Sequence, residues 1–249
     1  MTTVLLLHGQ PGGIRDWDRV VAALGADLDV IAEYRPGWDG ANPPLDLRGN
    51  AQDAIAKLDR HGVDRAVIVG HSLGAGVAAW IAVLHPERVH ALVLVSPGAN
   101  SLALDWFDRV LASPVVGPAL SAVALASVGG ALASSSVRRV LNRRLGLGDP
   151  FMRAGSRMLL RPTAWRSFVF EQRALFRDLP ALEARLGEIS APTTVISGTA
   201  DTVVPPRAAQ LLAEQIPGAE LELIAGAGHL LPHQHGDAIA AIVDRYTTL

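Results

Sequence analysis

The stretch Arg65-Ala66-Val67-Ile68-Val69-Gly70-His71-Ser72-Leu73-Gly74-Ala75-Gly76-Val77-Ala78-Ala79-Trp80-Ile81-Ala82 decides how this chain is read. Its first part is a short apolar, β-branched run, the pattern of a strand buried on both faces. Its last part is a run of small apolar residues without a breaker, as expected of a helix packed close behind that strand. Between them, Gly70-His71-Ser72-Leu73-Gly74 fits the pattern G-x-S-x-G, a turn sharp enough to hold its serine in strained geometry above the sheet. Gly70 and Gly74 are expected because a Cβ at either place collides with the neighbouring strand or helix, and Gly76 serves the same packing one turn later. The turn makes Ser72 a candidate nucleophile and aims the first helical N–H groups at the reacting centre.

A serine hydroxyl is a weak nucleophile until a base takes its proton, and the base needs a third group to hold its tautomer. Of the eight histidines, His229 fits best, in Gly226-Ala227-Gly228-His229-Leu230 just after the run Leu221–Ala225. That places it on a loop leaving the C-terminal end of a strand. Asp201 is the expected partner, in Ser197-Gly198-Thr199-Ala200-Asp201 after the run 192–197. The order Ser72, Asp201, His229 is the one expected when the three sit on successive loops of such a sheet. His8 and His71 are expected to orient loops, and His233 and His235 lack the strand-plus-glycine approach of His229. A metal site on His229, His233 and His235 is disfavoured, since Pro232 spoils helical spacing and no carboxylates cluster with them.

With these residues in place, the chain resembles the α/β-hydrolase fold superfamily, in its serine-nucleophile, esterase- and lipase-like branch, along essentially its whole length. The elbow, the Gly198–Pro205 loop and the Gly226–His229 loop are joined by His8-Gly9-Gln10-Pro11-Gly12, which is similar to the family's oxyanion loop. The resemblance implies that the backbone N–H groups of Gln10 and Leu73 bind the oxyanion. Donors of this kind contribute about 2.7–4 kcal/mol each to transition-state stabilisation.

A length of 249 residues suits one α/β domain, and 49% hydrophobic residues supply its core. The net charge of −2 gives no sign of a nucleic-acid partner, and the absence of cysteine excludes thiol chemistry. No cofactor is implied. The first residues lack a basic leader region and their apolar run is too short for a signal peptide, so a cytoplasmic enzyme is the default expectation.

Strand and helix patterns alternate, which predicts an α/β fold: a mostly parallel central sheet with flanking helices and a helical cap inserted late in the sheet. Strands are expected near 3–8, 28–33, 65–70, 89–95, 192–198 and 219–224, and helices near 15–24, 47–61, 73–85, 206–216 and 236–247. Residues 1–98 and 187–249 form the expected core. Residues 99–186 do not alternate, and the resemblance assigns them to a cap (lid) over the active site.

This insertion is unusual in charge. Residues 110–137 carry none, and residues 138–166 hold eight arginines against one acid, Asp149. The uncharged stretch is long enough to span a bilayer, but Pro114, Pro118, Gly117 and Gly129-Gly130 interrupt it. Helices lining an apolar pocket are therefore expected rather than a span, with transient lipid contact through the cap as an intermediate reading. The arginines read first as a solvated face. The sharper reading turns one of Arg153, Arg157 and Arg161 inward to a substrate anion, their spacing of four placing them on one face of a helix.

Serine at the elbow points to acyl transfer. Relatives that displace alkyl groups have aspartate there. The expected activity is hydrolysis of carboxylic esters or lactones of small to medium apolar substrates through an acyl-enzyme on Ser72. Two alternatives accompany it. One is C–C hydrolysis of β-diketone-like substrates, as in the meta-cleavage-product hydrolases that this chain also resembles in layout; the aromatic residue that often follows their catalytic histidine is Leu230 here. The other is a non-catalytic small-molecule receptor on the same fold. Oligomeric state is not legible.

Overall fold

The apolar runs identified in the sequence become one six-stranded sheet in the computed structural model, which describes residues 2–247. The strands are β1 (Thr3–Leu7), β2 (Asp29–Ala32), β3 (Ala66–His71), β4 (Val89–Val95), β5 (Thr193–Gly198) and β6 (Glu220–Ile224). They run in the order β2-β1-β3-β4-β5-β6, and every neighbouring pair is parallel. Parallel strands need helical crossovers, so both faces of such a sheet are covered and its strands are apolar on both sides. β1 shows this residue by residue: Leu5 and Leu7 join one buried cluster, Val4 and Leu6 the other.

The first cluster packs under α2 (Leu47–Arg60), α3 (Leu73–Leu84) and α9 (Pro206–Gln215). The second packs under α1 (Asp18–Ala23) and α11 (Gly236–Thr247). The helix after the elbow, α3, is apolar all round because it lies deep: every residue from Leu73 to Val83 is buried. The edge strands differ in kind. β6 is largely exposed, and Arg245 of α11 pairs with its Glu220 and Glu222, which blunts that edge with charge.

The non-alternating insertion is helical. Between β4 and β5 lie α4 (Trp106–Ala112), α5 (Gly117–Ala133), α6 (Ser135–Leu145), α7 (Asp149–Leu159) and α8 (Pro162–Glu183). A short α10 (Leu231–Gln234) precedes α11. The lower half of α8 belongs to the core beneath it, since Ala174, Leu175, Leu179 and Leu182 are part of the first cluster.

Candidate active site

Everything singled out in the sequence collects at the C-terminal ends of β1, β3, β5 and β6, where parallel α/β sheets bind ligands. Ser72 stands between β3 and α3 with φ +54° and ψ −121°, a conformation an L-residue adopts only when its surroundings enforce it. Those surroundings are explicit. The Ser72 N–H donates to Val95 O at 2.9 Å, and Ser72 O accepts from Gly98 N at 3.0 Å and Ala75 N at 2.9 Å. A Cβ on Gly74 would collide with the carbonyls of Leu7 and His8, and one on Gly70 with the backbone of Gly74 and Ala75. The elbow exists because the chain passes there without side chains.

The aspartate and histidine loops are sewn to each other. Ala200 N donates to Ala227 O (2.9 Å), Thr199 N to Ile224 O (3.0 Å) and Gly226 N to Thr199 Oγ1 (2.8 Å). Asp201 Oδ1 accepts from the N–H groups of Val203 and Val204, both at 2.9 Å, which leaves Oδ2 for His229 Nδ1 at 2.8 Å. Burial alone would raise the Asp201 carboxyl, but the His229 contact and these two amides outweigh it and hold it below the usual range. His229 Nδ1 therefore faces a charged acceptor, and its Nε2 is the nitrogen left to meet a hydroxyl.

His71 and His8 orient loops, as expected. His71 Nε2 lies 3.0 Å from His229 O, so the residue beside Ser72 anchors the His229 backbone. Burial first, and His229 second, push His71 down to about 3, so it is neutral and donates through Nε2. His8 contacts Gly9 O through Nδ1 (2.9 Å) and accepts the Arg35 N–H on Nε2 (3.0 Å). Among the described residues no hydrogen bond joins Ser72 to His229; in unliganded hydrolases this contact is commonly long and tightens on substrate.

Ser72, Gln10 and Leu73 line one cavity of about 290 Å³. Leu73 is the first residue of α3, where the N–H has no intrahelical acceptor. The walls are Ala103, Leu104, Phe107, Leu111, Phe168, Leu175, Val203 and Val204, with Gln172 and one carboxylate, Asp108, as the other polar groups. Gln172 Nε2 donates to Asp108 Oδ1 at 2.9 Å. Gln10 is tied to the insertion, its Nε2 donating to Phe168 O at 2.9 Å.

The three shortlisted arginines do not face this cavity. Arg153 pairs with Asp149 on the surface. Arg157 and Arg161 line a separate cavity of about 310 Å³ with Tyr34, Trp38 and Asp16. Arg161 also falls off the expected helical face, because α7 ends at Leu159 and α8 starts at Pro162. Within this second site, burial pushes Asp16 up to about 7 against the opposing Gly13 N–H. His233, 3.9 Å away, is pushed down to about 4 by burial and by Arg19.

Sequence reading missed one element of the site altogether. Arg35, 1% exposed, forms a buried ion pair with Glu171 of α8, which is 0% exposed. Its Nε donates to His8 O (3.1 Å) and its Nη2 to Gly9 O (2.9 Å), the two carbonyls that precede Gln10. Trp38 Nε1 donates to Glu171 Oε2 at 3.0 Å. Burial pushes the Glu171 carboxyl above its usual range despite the guanidinium beside it. Arg35 thus holds the loop at Gln10 and the helix above it on one side chain.

Comparisons with known proteins identify the family. The alpha/beta hydrolase fold family model matches residues 2–236, and the chain belongs to that family. It is a hydrolase of this class. It is 29% identical over 264 residues to an uncharacterized protein of Mycobacterium tuberculosis, covering 98% of this chain and 74% of the other. It is 28% identical over 254 residues to a 2-hydroxy-6-oxononadienedioate/2-hydroxy-6-oxononatrienedioate hydrolase of Cupriavidus pinatubonensis, covering 97% and 85%. Among solved structures it superposes on a thermophilic esterase from Thermogutta terrifontis with a TM-score of 0.76 at 21% identity, covering 100% and 90%.

Proposed function

We propose that this protein is a serine hydrolase of carboxylic esters or lactones with small to medium apolar acyl groups. The observation that carries the reading is the 2.8 Å His229–Asp201 contact behind a strained Ser72 that lines an apolar cavity. Ser72 Oγ attacks the carbonyl carbon while His229 Nε2 takes its proton. The charge that develops on the carbonyl oxygen is held by the Gln10 and Leu73 N–H groups. His229 returns the proton to the leaving alcohol, and Asp201 stabilises the imidazolium in between. A water, deprotonated by His229, then releases the acid and frees Ser72. Helices α4 to α8 act as the cap over this cavity, with residues 1–98 and 187–249 as the core.

A C–C hydrolase is the second reading, and it rests on the relative named above. That relative is named for a substrate with two carboxylates, and the cavity beside Ser72 offers the carboxylate of Asp108 and no arginine or lysine. Like charge in a small apolar space disfavours an anionic substrate. Steady-state hydrolysis of p-nitrophenyl esters from acetate to palmitate, beside anionic vinylogous β-diketones, tests the choice. The proposal expects neutral esters to be preferred, with an optimum at short to medium chains that fit about 290 Å³. Turnover of the anionic diketones alone would install the C–C reading. Tight ligand binding without turnover of either class would install the receptor reading.

A further inference from the structure

Helix α5 breaks the rule by which surface helices are built. A helix at the surface carries an apolar stripe inward and charge outward. Along its 17 residues α5 has no charged residue at all, and it buries only Gly117, Ser121, Leu125 and Gly129, one residue per turn. That stripe meets α7, where Ser156 Oγ donates to Gly129 O at 2.8 Å. Leu120, Ala122, Ala126 and Leu132 are half-buried, and the other residues of α5 face outward, with Val123 64% and Val128 50% exposed. The segment leading into it leaves Val115 83% exposed, and on α4 Trp106 is 75% exposed. α4 and α5 meet at 107°, and no single helix among the described residues is long and apolar enough to cross a membrane.

The charge around this face is predominantly positive, with Asp105 beside Trp106 as an exposed exception. Residues 99–186 hold twelve arginines against six carboxylates, +6, on a chain whose net charge is −2, so the remainder carries −8. Arg139, Arg143 and Arg144 of the adjoining α6 are exposed, and none has a carboxylate within 4.0 Å among the described residues. Arg166 and Arg173 of α8 border an apolar groove of about 530 Å³ between α5 and α8. Arg173 is hydrogen-bonded to the carbonyls of Ala112 and Ser113, but an uncharged apolar ridge beside the α6 guanidinium groups, which have no carboxylate partner among the described residues, is complementary to acyl chains beneath phosphates. A second copy docking on this face about a twofold axis would set arginine against arginine.

We propose that this face docks on anionic phospholipid bilayers, with α5 at the level of the acyl chains and the α6 and α8 arginines at the phosphates. The inference stands independently of the reaction assigned to Ser72, and its test needs no turnover. The full chain is floated with vesicles of phosphatidylcholine, or of phosphatidylcholine mixed with phosphatidylglycerol. Binding is expected on the mixed vesicles alone, and it weakens as salt rises. The triple change Arg139→Gln, Arg143→Gln, Arg144→Gln is expected to lower partitioning about a hundredfold, each arginine near an anionic surface contributing about a factor of five. Val123→Asp with Val128→Asp is expected to abolish binding without shifting the melting temperature, since both side chains are exposed. As a readout on the unaltered wild-type surface, mixed vesicles are expected to shift tryptophan emission to the blue, and Trp106→Phe, conservative at an exposed position, is expected to remove the shifted component. Failure to bind mixed vesicles at low salt would overturn the proposal. So would binding that the two valine changes leave intact, which is adsorption by charge alone, or a dimer that the same changes dissociate in the absence of vesicle binding.

Discussion

Ser72, Asp201 and His229 are three residues of ordinary reactivity, and their neighbours supply what each lacks. Asp201 has both oxygens committed, one to two amides and one to His229. Asp201→Asn keeps the amide contacts and removes the charge. It is expected to lower kcat about 10³–10⁴-fold with KM and melting temperature nearly unchanged, as steady-state kinetics and calorimetry read. Asp16 gives a pH signature that belongs to stability. Its folded carboxyl holds a proton up to about 7, against an ordinary value of 3.8. The folded state therefore binds more protons than the unfolded state across that window. The stability it confers is full below the window and is lost as pH rises through it. Asp16→Asn, a fixed neutral analogue, is expected to match wild type near pH 4 and exceed it at pH 8 by on the order of 4 kcal/mol in urea unfolding. A variant equally destabilised at both pH values would contradict the neutral carboxyl.

Strands and core helices were legible within a residue or two because period and punctuation agree, except that α1 starts at Asp18, three residues later than expected, because Ile14–Trp17 winds as a 3-10 helix ahead of it. The run Thr3–Leu7 is a buried parallel strand by composition, and Pro206 opens α9, where its missing N–H costs little. The insertion was legible only as helical. α5 has no polar face from which a register is read, and the break between α7 and α8 sets Arg161 apart from Arg153 and Arg157. The Arg35–Glu171 pair carried no local signal. Arg35 sits in a Tyr34-Arg35-Pro36-Gly37 turn that reads as solvated, and its partner lies 136 residues away. Only the packing of α8 over the Gln10 loop brings them together. Glu171→Gln leaves a buried guanidinium without its counter-charge and is expected to cost about 3–5 kcal/mol in denaturant unfolding. Arg35→Met with Glu171→Leu removes both charges and is expected to recover most of that stability. The double variant is expected to stay slow in kcat, because the carbonyls of His8 and Gly9 lose the guanidinium that holds them. Full recovery of kcat would reduce the pair to a structural role.

At the scale of the molecule, the sheet sets its loops at the C-terminal ends of the strands, and the insertion, opposite in net charge to the rest of the chain, contributes Phe107, Leu111, Phe168 and Leu175 to the cavity beside Ser72. A fold is shared by many chemistries, so the proposed reaction rests on the site: an apolar cavity, Ser72 as the proposed nucleophile, His229 as the proposed base, and amides at a helix start. The most direct test of that account is intact-mass analysis after exposure to a fluorophosphonate, with p-nitrophenyl ester turnover read in parallel. One phosphonyl group is expected on wild type, mapped to Ser72, with turnover lost in proportion to labelling. Ser72→Ala is expected to take no label and to lose turnover by at least about 10³-fold, and His229→Ala to label far more slowly. Unlabelled wild type, or an ester activity that survives Ser72→Ala, would contradict the assignment of Ser72 as the nucleophile.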